Sequence, residues 1–247
     1  MFCVLLGDQV STMEKIYTDL IDEVDEALRI RKLPPSSTGN ASEATSQLYW
    51  IGVCGAPASG KSTLTQEVAR RLNDKGISTV VIPMDGYHFY KHELDSMPDA
   101  HEMHARRGAP WTFNAVKFVQ DLTNARRTSM GSFPSFDHHY GDPLEDQIQL
   151  TPAQEVVIVE GNYLSLSSSP WCELKGLFDA RWVLTCPTEV ARERVIVRHL
   201  STGDTLDEAT RRADENDVPN GIMVEKEMSS TGWATRVIQS ITDKLDA

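Results

Sequence analysis

The chain has 247 residues, 40% of them hydrophobic and 24% charged, and its 24 Lys and Arg against 36 Asp and Glu leave a net charge of −12. That length can bury one sizeable core, while the acidic balance argues against the broad basic face of a general nucleic-acid binder. No run approaches the roughly 18 apolar residues of a membrane span. The four cysteines, Cys3, Cys54, Cys172 and Cys186, form no C-x-x-C pair, and the short apolar run at residues 2–6 lacks a basic lead. The expectation is a cytoplasmic protein, monomer or homodimer, with neither a nucleic-acid nor a membrane partner.

In chain order, residues 13–31 have an amphipathic helical period, with Ile16, Leu20, Val24, Ala27 and Leu28 on one stripe. Pro34 and Pro35 stop it, and 33–47 reads as a polar, flexible linker. Residues 1–47 are therefore expected to be a helix and linker ahead of one domain at 48–247. Residues 48–54 form a buried strand, and a helix follows over 62–73. Residues 77–82 make a second strand. A helix at 116–126 carries Val116, Val119, Leu122 and Thr123 on one side. Further strands fall at 155–159 and 180–186, with helices at 189–200 and 206–216. Strands that are continuous Val/Ile/Leu runs, alternating with helices, predict an α/β fold with a parallel sheet covered by helices on both faces.

Between the first strand and its helix stands Gly55-Ala56-Pro57-Ala58-Ser59-Gly60-Lys61-Ser62, which fits G-x-x-x-x-G-K-S/T, the phosphate loop of a P-loop NTPase. Glycines let successive N–H groups turn inward toward phosphate oxygens, and the helix N-terminus adds partial positive charge. Residues Gly55 to Ser62 with Thr63 are expected to hold ATP. Lys61 would bridge the β- and γ-phosphates and Ser62 would ligate Mg²⁺. The run Val156-Val157-Ile158-Val159-Glu160-Gly161 ends an apolar strand on an acid, placing Glu160 as a second Mg²⁺ group. After the second strand, Asp85 is positioned to face the γ-phosphate as the base for an acceptor hydroxyl, while also contributing to the Mg²⁺ site. The N-K-x-D base-reading motif of GTPases is absent.

These residues resemble the phosphoribulokinase/uridine kinase family, which includes the bacterial pantothenate kinases, over residues 48–221. Asp85-Gly86-Tyr87 is similar to that family's strand-end Asp, and Glu160-Gly161 to its Val-Glu-Gly. The stretch from Arg107 to Asn114 is similar to the basic-Gly-x-Pro stretch of the pantothenate kinases, with Asn114 standing where they carry Asp. Pro134-Ser135-Phe136-Asp137 resembles the acceptor-site segment. Six ordered segments, at 85–88, 106–113, 134–137, 159–164, 198–203 and 216–220, resemble a uridine-kinase-like subgroup of fungal kinases or ATPases and bacterial fructose-transport-associated kinases. Residues 85–88 lack the Asp-Ser-Phe-Tyr of uridine kinases proper. The resemblance implies a kinase for a small-molecule hydroxyl, with Arg107, Phe136 and Asp137 at the acceptor and Arg194 and Arg198 on a helical lid.

Other residues leave alternatives open. Arg192, Arg194 and Arg198 fit either a solvated helix face paired with Glu189 and Glu193, or a lid bringing arginine to the transferring phosphoryl. Six of seven histidines lie between 88 and 139. The spacings His88-x-x-x-His92 and His101-x-x-His104 suit a metal, but no cysteine or H-E-x-x-H pattern supports zinc. His88 and His138 fit hydrogen-bonding groups of an acceptor pocket better. Asn216, Asp217 and Asn220 suit either an adenine contact or a helix cap. Two functions follow: a small-molecule kinase, or a slow ATPase or regulatory nucleotide-binding protein. In both, Lys61, Arg107, Arg194 and Arg198 are expected to converge on one pocket inside an acidic exterior.

Overall fold

The computed structural model of the chain describes residues 12–32, 48–137 and 140–241. The expected linker, the apolar run at 2–6 and both His138 and His139 lie outside these residues.

Strand β1 (Tyr49–Gly55) is buried along its whole length. It pairs in parallel with β5 (Val156–Gly161) on one side and β6 (Ala180–Thr185) on the other. β2 (Thr79–Pro83) extends the sheet beside β5, and β7 (Arg236–Gln239) beside β6. The order is β2-β5-β1-β6-β7, parallel throughout.

The two-residue period of a strand divides its side chains between two layers. Tyr49, Ile51 and Val53, with Val156, Ile158, Trp182 and Leu184, pack against α1 (Met13–Arg31) and α2 (Lys61–Asp74). Trp50, Cys54, Val157 and Val159 face the other way, against Phe118 and Leu122 of α5 (Ala115–Thr128) and Val224 and Met228 of α8 (Val218–Thr231). Both faces are thus covered, as the uninterrupted apolar strands predict. Polar ties also join α1 to the sheet layer. Arg71 of α2 holds Glu14 at 2.6 Å, the Trp182 indole donates to Glu23 at 3.0 Å, and Arg31 reaches Asp179 at 2.7 Å.

The structure adds four details to the sequence reading. The buried stripe of α5 is Ala115, Phe118, Val119, Leu122 and Ala125, so Val116 is exposed. Asn114 caps that helix by accepting from the Lys117 N–H at 3.0 Å. A hairpin of β3 (Gly131–Asp137) and β4 (Asp142–Leu150) stands apart from the main sheet. Its prolines, Pro134 and Pro143, and the exposed face of β4 hide it from a hydrophobic-run reading. Finally, α6 (Thr188–Ser201) is followed by α7 (Leu206–Arg212), which runs through a π-helical turn, Ala213–Asp217, directly into α8. The short helices α3 (Lys91–Asp95) and α4 (Ala100–Ala105) cross between β2 and α5. Among the described residues no helix is long and apolar enough to cross a membrane.

Candidate active site

Because every strand of the main sheet is parallel, the strands' C-terminal ends gather on one side, where a crevice opens. The phosphate loop leaves β1 there. Gly60 has φ of +99°, a left-handed conformation that glycine adopts without steric cost, and it starts α2 with no side-chain cap. Lys61 folds back so that its ammonium donates to the Ala56 carbonyl at 2.8 Å. Its side chain is only 7% exposed. Burial lowers its pKa, against the charges of Glu160 and Asp85, which raise it.

Glu160 closes β5, opposite Val53 of β1 and Pro83 of β2. Its carboxylate accepts from the Ser62 hydroxyl at 2.7 Å. Burial pushes the Glu160 pKa up, with Lys61 acting against the rise. The next residue must be small: a Cβ on Gly161 would meet Met84 at 2.5 Å. That close approach draws the turn after β2, Met84–Tyr87, against the end of β5 and brings half-buried Asp85 to the cleft beside Glu160.

A wall of side chains continues from Asp85. His88 Nδ1 lies 2.8 Å from the Asp85 carbonyl, so that nitrogen carries the proton in the neutral ring. The ring packs between Phe113, 3.9 Å away, and Phe136, 4.7 Å away. Arg107 lies 5.8 Å from the Phe136 ring and donates to the Phe89 carbonyl at 2.9 Å, to Asp142 at 2.8 Å and to the Gly141 carbonyl. His88, Arg107, Phe113 and Phe136 all line the cleft, with Lys91 and Asn162. Asp137 does not. Its carboxylate accepts from the Tyr140 N–H at 3.2 Å. Asp142, its partner in register, is the acid that meets Arg107.

The arginines of α6 reach other elements. Arg192 pairs with Asp214. Arg194 donates to Ser240 at 2.9 Å and approaches the Ala58 and Ser59 carbonyls at 3.4 Å each, gripping the phosphate loop. Arg198 is half exposed over the cleft, 3.7 Å from Asp217. Asp217 also holds the buried His199 at 3.0 Å. Asn216 and Asn220 do not cap α8. Asn216 accepts from Arg106 at 3.1 Å and donates to the Arg107 carbonyl at 2.8 Å, while Asn220 donates to Asn216 at 3.1 Å. The π turn sets both amides inward, so this segment ties the lid side of the cleft to the acceptor wall.

The whole cleft has a volume of about 870 Å³. Lys61, Asp85, Arg107, Glu160, Arg194 and Arg198 all line it, with Pro57, Ala58, Gly60, Ser62 and Thr63 of the loop. Gly55, Ala56 and Ser59 are buried behind that surface. Met13 and Tyr17 of α1 and Ser240 and Ile241 after β7 also line it. No motif in the sequence marks those four, and the chain after 224 is polar. Among the described residues no cluster of three or more His, Cys, Asp or Glu side chains could hold a metal ion. His104 pairs with Asp95 at 2.7 Å.

The model of the Phosphoribulokinase / Uridine kinase family matches residues 50–219. The chain is 41% identical over 192 residues to a Schizosaccharomyces pombe protein named "Putative uridine kinase", covering 74% of this chain and 80% of that one. It is 32% identical to the Escherichia coli protein YggC, covering 76% of each. A crystal structure from Silicibacter sp. TM1040, titled as a "putative fructose transport system kinase", superposes with a TM-score of 0.73 at 28% identity, over 90% of this chain and 98% of that one.

Proposed function

From its place in the phosphoribulokinase/uridine kinase family, to which this chain belongs, we propose that it is an ATP-dependent kinase that transfers the γ-phosphoryl group to a hydroxyl of a small metabolite. One observation carries the reading: the phosphate loop, with its Ser62–Glu160 contact, shares a cleft with Asp85 and an aromatic wall deep enough for a second substrate. A hydrolase needs no such wall.

Lys61 supplies a buried ammonium, and charge acts more strongly there than in water. Ser62 and Glu160 are hard oxygen donors of the type Mg²⁺ selects, with Asp85 beside Glu160 in the same cleft. When bound, the cation neutralises phosphate charge. Asp85 accepts the proton of the attacking hydroxyl. His88, Phe136 and Arg107 form the surface that orients the acceptor. Arg198 moves over the transferring group as the helices α6 and α7 close, excluding water.

The test is ATP consumption by the purified protein with and without a panel of sugars, nucleosides and pantothenate-like alcohols. Strong stimulation by one compound is expected, and a flat response across the panel would favour the ATPase alternative. With that compound in hand, Asp85→Asn should lower turnover by about 10²–10⁴-fold, the usual worth of a general base. ATP binding should stay within about two-fold of wild type. Near-normal turnover would remove Asp85 from the role of base.

A further inference from the structure

His199 is buried in the last turn of α6, next to the half-exposed Arg198. Both of its ring nitrogens face carboxylates. Nε2 lies 3.0 Å from Asp217 of the π turn, and Nδ1 lies 3.9 Å from Asp204 of the loop between α6 and α7. Two carboxylates on one imidazole suit the protonated ring, because a neutral ring has only one N–H to donate. The charge of Asp204 is also met by Arg212 of α7, at 2.6 Å. Among the described residues, two cations come within ion-pair distance of Asp217. One is His199 when protonated, and the other is Arg198, which at 3.7 Å is too far for a hydrogen bond. Asp204, Arg212, Asp217 and Arg198 are thus the charged groups that face His199 from the loop, α7, the π turn and its own helix. All five residues line the cleft.

We propose that His199 is a positioning residue for Arg198, acting through the Asp217 carboxylate that both address. Protonated, the ring satisfies Asp217 and releases Arg198 toward the γ-phosphate. Neutral, it leaves the charge of Asp217 to hold Arg198 back. The proposal rests on the ATP-dependent reading above, with Arg198 as the lid group, and adds to it what sets that arginine free. The sign follows from Coulomb's law. A proton on His199 places a positive charge beside Arg198, which weakens the pull of Asp217 and favours the anionic phosphate as the alternative partner. Release should therefore grow as pH falls through the range of about 5 to 8 in which imidazole changes charge.

Isothermal titration with Mg-ATP and with Mg-ADP, at pH 6 and at pH 8, tests it, because the ratio of the two affinities isolates contacts to the γ-phosphate. In wild type the preference for ATP should be about five-fold larger at pH 6 than at pH 8, the low end of the usual coupling between two sites. Arg198→Ala should remove that pH dependence. Asp217→Asn keeps an acceptor for the ring N–H without the charge, so it should fix the preference at its high value at both pH values. His199→Gln donates to Asp217 without a charge, so it should fix the preference at its low value. The two variants move in opposite directions, whereas a merely structural role would move both the same way. If a thermal melt shows His199→Gln unfolded, Asp217→Asn and Arg198→Ala decide the matter. A pH-independent preference in wild type, or the same pH dependence in Arg198→Ala, would overturn the role of His199 and leave the kinase reading standing. If wild type bound neither nucleotide, the nucleotide reading itself would fall, and this role with it.

Discussion

Lys61 and Glu160 are the two residues on which the site's electrostatics turn. Burial opposes the charge on each, and each partly restores the charge of the other. Removing one leaves its partner buried without a counter-charge, which costs more than the lost attraction. Lys61→Ala should therefore abolish phosphoryl transfer, by about 10³-fold or more, as loss of a charge-stabilising cation does. ATP-consumption assays read the loss directly. Lys61→Met, which restores the carbon stem alone, should fold as well as Lys61→Ala and be equally inactive. Activity above a tenth of wild type in either variant would contradict the role given to the ammonium. Asp85 differs in being half-buried.

At the scale of elements, the two arginines of α6 are one turn apart and do different work. Arg198 stands over the cleft with a single 3.7 Å approach to Asp217, so Arg198→Ala should cut turnover by about 10³-fold with an unchanged melting temperature. Arg194 grips the loop and Ser240, so Arg194→Ala should weaken ATP binding and lower the melting temperature together. Calorimetry and a thermal melt distinguish the two patterns. Between α1 and α2, Glu67 is held by hydrogen bonds from Arg70 and Arg71, which bring its pKa down to about 2. A carboxylate with a lowered folded pKa adds stability that is present above about pH 4.5 and is lost as pH falls toward 2. Glu67→Gln should therefore flatten the loss of melting temperature between pH 5 and pH 3. An unchanged slope would show that the pair contributes nothing.

Legibility follows the same division. The phosphate loop, Glu160 and the parallel strands could be read because backbone geometry and full burial dictate residue type there. The β3–β4 hairpin could not, since half of it faces water and prolines interrupt it. Asp137 enters the acceptor set by resemblance alone; it does not line the cleft, and the acid that meets Arg107 is its cross-strand neighbour Asp142. The inward amides of Asn216 and Asn220 depend on a π turn, a one-residue change of helical register that no local pattern announces.

For the molecule as a whole, α1 is part of the core rather than an appendage. Leu20 and Val24 are fully buried against the sheet layer. Leu20→Ala should cost about 2–5 kcal/mol of stability, the usual range for emptying a buried leucine site. Chemical denaturation measures it, and a cost below about 0.5 kcal/mol, typical of surface positions, would show that α1 packs only loosely.

Arg194 also has a mechanical consequence. Its contacts pin the first half of α6 to the phosphate loop and to the edge strand, so the helix cannot swing as one rigid rod without breaking them. A pivot at Arg194 leaves a lever of eight residues to Thr202, about 12 Å at 1.5 Å per residue. A tilt of about 20° at that pivot would carry the lever's tip, at the joint with α7, through about 4 Å. The contacts that hold the phosphate loop in place would thus also limit how far a closing α6 could swing.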